Sequence, residues 1–286
     1  MQIKGHTFLV TGGLGGLGSD CSRMLCELGA NVAVADVAPG DQGRAKLQEQ
    51  FKDTKDANVD YYTLDVTDEA QAQAVVEAII KRFGSIHGLV HCAGVALRRQ
   101  WTTKLSDGVA AFRKTLDINV TGTYIMGAAV ADAINARAPE ERANAGSLWS
   151  TKEERGVIIN FSSVAGHEPT ARVVGYGPSK TAVLGLTRSF ADFLAPSGIR
   201  VNSVSPGLIA TPILGTHAGW YQKDLEANGG FPKAPAQPKH ISMAVQQLIE
   251  NEFINGEDVK ITGGWRLVST VFPGQEDPRA SAPGIE

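Results

Sequence analysis

The stretch Thr7-Phe-Leu-Val-Thr-Gly-Gly-Leu-Gly-Gly-Leu-Gly18 runs from a short β-prone segment directly into a turn dominated by glycine. The apolar spacing from Cys21 to Gly29 predicts a helix after that turn. In a unit of strand, glycine turn and helix, the backbone of the turn can pass close to a bound pyrophosphate. The amino terminus of the helix then offers free N–H groups to the phosphates. A glycine-rich turn also occurs as a plain structural turn, so other features must decide its role.

A second strand is predicted over 31–37, and it carries Asp36 near its end. A carboxylate about 20 residues beyond a glycine turn accepts the ribose hydroxyls of adenosine and repels a 2′-phosphate. We therefore predict NAD rather than NADP as the cofactor. The alternative is an ordinary aspartate that caps the next turn.

Strands and helices keep alternating beyond this point, which predicts an α/β fold: a Rossmann-type doubly wound parallel sheet of about seven strands with helices on both faces. We expect one domain over 1–272, with a surface insertion at 136–155 and a substrate lid at 213–239, followed by a flexible tail at 273–286. The helices are predicted at 40–58, 68–83, 107–135, 176–195 and 241–249, and the later strands at 59–64, 87–91, 156–161, 199–204 and 258–262.

Composition excludes several classes of protein. The 286 residues carry a net charge of −3 and no Lys/Arg-rich run, so a nucleic-acid partner is not expected. The three cysteines are an odd number without paired spacing, which argues against a disulfide framework. Neither the cysteines nor the six histidines show metal-ligand spacing, so a metal site is not expected. No apolar run approaches membrane-spanning length and no targeting segment is visible, so we expect a cytoplasmic protein without a membrane partner.

The chemistry is concentrated between 160 and 180. If a helix begins at Tyr176, Lys180 projects from the same face one turn later and places an ammonium beside a phenol. A free phenol has a pKa of about 10, and a nearby cation favours the phenolate, so the hydroxyl can exchange a proton near neutral pH. Ser163 follows a predicted strand, where its hydroxyl can hold a substrate oxygen for that phenol.

The chain carries these motifs in order: Thr11-Gly12-x3-Gly16-x-Gly18, Asp36, Asp65-Val66, Cys92-Ala93-Gly94, Asn119, Ser163, Tyr176-x3-Lys180 and Pro206-Gly207 with Thr211. Together they resemble the short-chain dehydrogenase/reductase family along nearly the whole chain. The scaffold segments at 156–160, 206–208 and 249–257 are most similar to its type II 3-hydroxyacyl-CoA dehydrogenase and hydroxysteroid dehydrogenase subgroup.

The resemblance implies a role for each matching residue. Tyr176 is the expected acid/base, Lys180 lowers its pKa and holds the nicotinamide ribose, Ser163 binds the reacting oxygen, and Asn119 anchors a water that relays the proton outward. The implied cofactor-binding residues are Gly12, Gly15, Gly16, Leu17, Gly18, Asp36, Asp65, Val66, Cys92, Ala93, Gly94, Tyr176, Lys180, Pro206, Ile209 and Thr211.

The expected function is therefore an NAD-dependent oxidoreductase that interconverts a secondary alcohol and a ketone, in a homodimer or homotetramer. A 3-hydroxyacyl thioester and a polyketide, terpenoid or aromatic alcohol are equal candidates for the substrate. We expect the pocket lining to include His167, Glu168, Trp101, Trp220, Tyr221 and Phe231. The alternative function is a catalytically silent NAD-binding sensor or interaction subunit.

Two positions depart from the family pattern. His91 stands where the family commonly has Asn, and it is either a structural histidine or a pH-sensitive group. The segment Gly263-Gly264-Trp265 lacks the usual preceding Asp. Neither departure alters the expected chemistry.

Overall fold

The computed structural model of the chain describes residues 1–54, 57–97, 104–137, 151–170, 173–211 and 218–266. Within them, seven strands form one parallel sheet in the order β3-β2-β1-β4-β5-β6-β7. The predicted doubly wound parallel sheet is thus confirmed. The strands are β1 (Thr7–Thr11), β2 (Asn31–Asp36), β3 (Asn58–Thr63), β4 (Gly88–His91), β5 (Gly156–Phe161), β6 (Ile199–Pro206) and β7 (Asp258–Ile261).

Helices cover both faces of the sheet. One buried apolar cluster joins the sheet to α1, α2 and α9, and a second joins it to α3, α5 and α7. The central strands are apolar on both sides because they are buried between these two layers. The helices are α1 (Gly16–Glu27), α2 (Gly40–Phe51), α3 (Glu69–Phe83), α4 (Val109–Leu116), α5 (Gly122–Ala136), α6 (Val164–His167), α7 (Tyr176–Leu194), α8 (Ala218–Asn228) and α9 (Pro238–Glu250).

The strand order reverses at β1, which pairs with β2 on one side and with β4 on the other. Parallel strands that diverge in this way leave a crevice outside their carboxyl ends, where ligands bind in open α/β sheets. At this edge Thr11 lies beside Ala35 of β2 and His91 of β4. The candidate site is built around this crevice.

The structure corrects three sequence expectations. The long helix predicted over 107–135 is interrupted by a π-helical turn at Asp117–Thr121. The segment 213–239, expected to be irregular, contains the helix α8, because only its flanks are rich in proline and glycine. The single-turn helix α6 was not expected at all. Residues 138–150 of the proposed insertion and the whole 273–286 tail lie outside the described residues.

Candidate functional site

The turn after β1 needs glycine for steric reasons. Gly12 has a φ of +61°, and a Cβ there would lie 2.8 Å from the backbone nitrogen of Ala93. A Cβ on Gly18, in the first turn of α1, would lie 2.3 Å from the carbonyl oxygen of Gly12. The turn is therefore packed backbone against backbone, with β4 on one side and α1 on the other. The amino terminus of α1, a helix of 12 residues, opens at this turn.

Asp36 reaches from the end of β2 to the same turn. Its carboxylate accepts the backbone N–H of Leu14 at 3.1 Å and that of Val37 at 2.9 Å. The turn and the second strand are thus joined through one carboxylate, which lies at the carboxyl edge of the sheet. Asp65, just beyond β3, accepts both the backbone N–H and the hydroxyl of Thr67, and the neighbouring Val66 is buried against Gly122.

The segment Cys92-Ala93-Gly94 continues β4 past the glycine turn. The backbone N–H of Cys92 donates to the Thr11 carbonyl at 3.1 Å, and that of Ala93 donates to the Thr11 hydroxyl at 3.3 Å. A Cβ on Gly94 would lie 3.2 Å from both the Asn119 amide oxygen and the Lys180 ammonium nitrogen. This segment therefore connects the turn to the residues expected to carry the chemistry.

His91 is a buried structural residue in this arrangement. Its Nδ1 lies 2.8 Å from the Thr11 hydroxyl oxygen. Burial, together with the positive charge of Lys180, lowers the pKa of His91 to about 3. The imidazole therefore stays neutral at physiological pH, which favours the structural role over a pH-sensitive one.

Asn119 lies in the π-helical turn and is fully buried. Its side-chain oxygen accepts the Val95 N–H at 2.8 Å, and its amide nitrogen donates to the Val95 carbonyl at 2.9 Å and to the Ser179 hydroxyl at 3.0 Å. The Ser179 hydroxyl in turn donates to the Tyr176 carbonyl at 2.7 Å. The extra residue of the π-helical turn thus directs the Asn119 amide towards Val95, which follows β4, and towards Ser179 near the start of α7.

Ser163 is the N-cap of α6, the single-turn helix that follows β5. Its hydroxyl oxygen accepts the backbone N–H of Ala165 at 3.2 Å. It donates to none of the described residues, so its proton is available for an acceptor placed above the sheet edge. The side chain is largely buried, which limits the rotamers and solvent contacts open to this hydroxyl.

Tyr176 is the first residue of α7, and Lys180 follows it one turn later, as the sequence predicts. The Lys180 ammonium nitrogen lies 5.7 Å from the centre of the Tyr176 ring and donates to the Phe161 carbonyl at 2.7 Å. Burial lowers the pKa of Lys180 to about 8, partly opposed by the nearby Cys92. The ammonium is therefore a desolvated charge close to the phenol, where its electrostatic influence is strong.

Beyond β6 the chain closes the site from the other side. Pro206 is the last residue of β6, Ile209 is buried and bridges to Ala236, and the Thr211 hydroxyl lies 3.4 Å from the Ile209 carbonyl. A third apolar cluster fills the space next to Tyr176, and Val173 packs on its edge. Its buried members come from α6, from the loop after β6, from α8 and from the segment after β7: Val164, Ala165, Leu208, Leu225 and Trp265.

The helix α8, within the expected lid, is fastened to this third cluster. Leu225 contributes to the cluster, and the buried Asp224 carboxylate accepts the indole N–H of Trp265 at 3.0 Å. The role of Trp265 in holding α8 is one that sequence reasoning missed, because nothing in the local pattern pairs it with an acid 41 residues away.

The expected pocket residues have different outcomes. Trp101 lies outside the described residues, as do the side chains of Trp220 and Tyr221. Phe231 is 89% exposed, and the His167 ring is bonded to Asp258 instead of facing open space. Within the described part of the chain, no helix is long and apolar enough to cross a membrane, and no three metal-binding side chains cluster.

Comparison with known proteins gives consistent matches. The family model "short chain dehydrogenase" matches residues 6–222. Rat 3-hydroxyacyl-CoA dehydrogenase type-2 is 31% identical over 269 residues, which cover 93% of this chain and 97% of the relative. The 3-alpha-(or 20-beta)-hydroxysteroid dehydrogenase of Mycobacterium tuberculosis is 33% identical over 268 residues, covering 92% and 90%. The solved structure of 3-hydroxyacyl-CoA dehydrogenase type-2 from Mycobacterium avium superimposes with a TM-score of 0.75 at 30% identity, over 92% of this chain and 97% of the other.

Proposed function

Because this chain belongs to the short-chain dehydrogenase family and is an oxidoreductase acting on secondary alcohols, we propose that it uses NAD and that Tyr176 is its acid/base. The observation that carries the proposal is the convergence of Tyr176, Lys180, Ser163 and Asn119 at the carboxyl edge of the sheet, beside the glycine turn. Nothing in the comparisons supports the alternative of a silent sensor or interaction subunit.

The residues at the sheet edge fit a dinucleotide. The amino terminus of α1 follows the glycine turn, and its N-cap Gly15 has no side chain to cap it, so its backbone N–H groups can bind a phosphate group. The Asp36 carboxylate at the end of β2 suits a free ribose diol and opposes a 2′-phosphate, which supports NAD over NADP. Asp65, Val66 and the segments at 92–94 and 206–211 complete the proposed cofactor contacts. When bound, the nicotinamide would supply the hydride acceptor or donor.

In the direction of alcohol oxidation, the Tyr176 phenolate takes the proton of the substrate hydroxyl. The Ser163 hydroxyl donates a hydrogen bond to the same oxygen, because its oxygen accepts the Ala165 N–H and its proton is given to none of the described residues. The buried Lys180 ammonium stabilises the phenolate electrostatically. Asn119 holds the π-helical turn against the start of α7, because it donates to Ser179, which in turn donates to the Tyr176 carbonyl.

Replacement of Tyr176 with Phe tests the assignment. We expect kcat to fall by at least about 100-fold, since a positioned acid/base contributes roughly 10²–10⁴. The Kd for NADH, measured by nicotinamide fluorescence, should change little. Tyr124→Phe on the exposed face of α5 is the matched control and should leave kcat unchanged. Turnover of Tyr176→Phe at a rate comparable to the unmodified protein would refute the role of the phenol.

We propose that the substrate binds beside Tyr176, against the third apolar cluster, with 213–239 as the lid of this pocket. An apolar wall beside an acid/base suits a bulky alcohol such as a hydroxysteroid or a terpenoid alcohol. A 3-hydroxyacyl-CoA is an equal candidate, because Lys223, Lys233 and Lys239 supply cations in this segment. Initial rates with 3-hydroxybutyryl-CoA, androsterone, carveol and 1-phenylethanol would rank these classes, and turnover of none of the four would contradict the proposed pocket.

We also propose a homodimer or homotetramer in the cytoplasm. The outer faces of α4, α5 and α7 expose large apolar side chains, including Phe112, Tyr124 and Phe193, the last being 82% exposed. Apolar surface of this kind is typical of a protein interface. Phe193→Glu should therefore shift the mass measured by light scattering towards the monomer, and a monomeric unmodified protein would contradict the proposal.

A further inference from the structure

A partly buried polar cluster joins α6, which carries Ser163, to the last strand of the sheet. His167, the final residue of α6, places its Nε2 2.7 Å from Oδ2 of Asp258, the first residue of β7. The other carboxylate oxygen, Oδ1, accepts the hydroxyls of Ser203 at 2.6 Å and Ser205 at 2.8 Å. Both oxygens of Asp258 are thus engaged, and the carboxylate holds α6, β6 and β7 together.

This cluster is not a hydrolytic triad. In such a triad, the carboxylate and the nucleophilic hydroxyl contact different nitrogens of the imidazole. Here Asp258 and Ser205 both meet Nε2 of His167, the second at 3.2 Å. Ser205 also donates its own proton to Asp258 and is fully buried. A positioning role is what this geometry suits.

The helix that His167 anchors carries Ser163, the proposed donor to the reacting oxygen, at its other end. Ser163 caps α6, and the Ala165 N–H that fixes the Ser163 hydroxyl belongs to the same single turn. One helical turn has too few internal hydrogen bonds to keep its own geometry, so its contacts must orient it. On the side of α7, these include the Thr181 hydroxyl, which donates to the Gly166 carbonyl at 2.7 Å. Towards β7, His167–Asp258 is the only hydrogen bond from α6 among the described residues.

We propose that His167, held by Asp258, is a positioning residue that sets the orientation of the Ser163 hydroxyl towards the reacting oxygen. The inference rests on the proposed role of Ser163 and deepens it. Asp258 lies beyond residue 222, where the family match ends, so the link is a feature of the carboxyl-terminal part of this chain. Loss of the His167–Asp258 hydrogen bond leaves the proposed cofactor-binding residues in place, because neither His167 nor Asp258 contacts the glycine turn or Asp36.

The test is a double-mutant cycle between His167→Phe and Ser163→Ala, assayed with whichever of the four alcohols named above is oxidised fastest. Ser163→Ala should lower kcat by about 100-fold, as loss of one positioned donor does. His167→Phe should lower kcat by about tenfold in the unmodified background, since misplacement of a reacting group is costly. In the Ser163→Ala background, His167→Phe should lower kcat by less than about twofold, because the effects of residues that act as a unit are not additive. The Kd for NADH should stay within about twofold in all variants.

Two further variants keep the test decisive. His167→Gln retains a donor for Asp258 and should recover part of the lost kcat, and it serves as the second variant if the phenylalanine does not fold. His240→Ala removes an exposed histidine that accepts the Gln237 N–H at the start of α9, and it should act equally in both backgrounds.

An impaired Ser163→Ala, combined with a His167→Phe effect that is absent or equal in both backgrounds, would overturn the positioning role alone. A fully active Ser163→Ala would overturn the proposed role of the serine, and this inference with it.

Discussion

The two halves of the sheet edge are built differently. Around β1, β2 and β4, the site consists of backbone: a glycine turn without room for a Cβ, strand ends, and the N–H groups that Thr11 and Asp36 organise. Around β5, β6 and β7, the site is held by side chains from distant segments, such as His167 with Asp258 and Asp224 with Trp265. A backbone site tolerates few substitutions, whereas a side-chain site can be retuned by single residues, so the second half is where specificity can change.

The largest effect is expected from Gly12→Ala in the backbone half. The added Cβ would meet the Ala93 nitrogen and force a residue with a φ of +61° out of its conformation. We expect the Kd for NADH to rise by about 100-fold or more, because the turn must open. Gly84→Ala, at a φ of +84° with nothing within 4 Å, is the matched control. It should cost roughly 1 kcal/mol of stability and no cofactor affinity. Equal Kd values for NADH in the two variants would contradict the role of the glycine turn in cofactor binding.

Lys180, at the junction of the halves, should make stability depend on pH. Its folded pKa of about 8 lies below the ordinary 10.5. Between these values the unfolded chain binds more protons, so the free energy of unfolding should rise with pH through this window. The full difference is on the order of 3 kcal/mol. Urea unfolding at pH 7.5 and 10 measures it, with Lys180→Met as the reference that lacks the group. Equal pH dependence in both proteins would show that Lys180 titrates normally.

Asp36→Asn should relax the cofactor preference. It removes the charge that opposes a 2′-phosphate but keeps a side-chain oxygen for the Leu14 N–H. We expect the ratio of kcat/KM for NAD to that for NADP to fall by about tenfold, equivalent to about 1.4 kcal/mol. Asp65→Asn, at the end of β3, is the comparison variant and should leave that ratio unchanged. An unmodified protein that prefers NADP would contradict the proposed role of Asp36, at the end of β2, in selecting NAD.

The smallest effect is expected from Trp265→Phe in the side-chain half. The change removes the indole N–H that holds Asp224 of α8 and keeps most of the apolar volume. We expect the KM for the alcohol to rise by about fivefold, or about 1 kcal/mol, with the KM for NAD unchanged. Phe253→Ala, at a side chain that is 97% exposed, should alter neither constant. A change in the KM for NAD would mean that the halves are coupled through α8.

The sequence was informative where local chemistry is tied to fixed spacing. The glycine turn, Asp36 and the Tyr176/Lys180 pair could be read directly, because each depends on strand or helix geometry within a few residues. The π-helical turn around Asn119 could not, since it depends on a bond to Val95 and on Ser179, 60 residues away. His167 was noticed, but its partner 91 residues later carries no pattern of its own. Such pairs exist only once the sheet has formed.

Because β7 lies near the carboxyl terminus of the sheet-forming chain, its position affects how the site is completed during synthesis. Chains leave the ribosome amino terminus first, at roughly 5–20 residues per second. The glycine turn, Asp36 and even Tyr176 emerge well before Asp258 and Trp265. At that stage Ser163 and α8 still lack the anchors that Asp258 and Trp265 provide, and they lack them for several seconds more. The side-chain half of the site is therefore completed last during synthesis, by the strand that lies at the edge of the sheet.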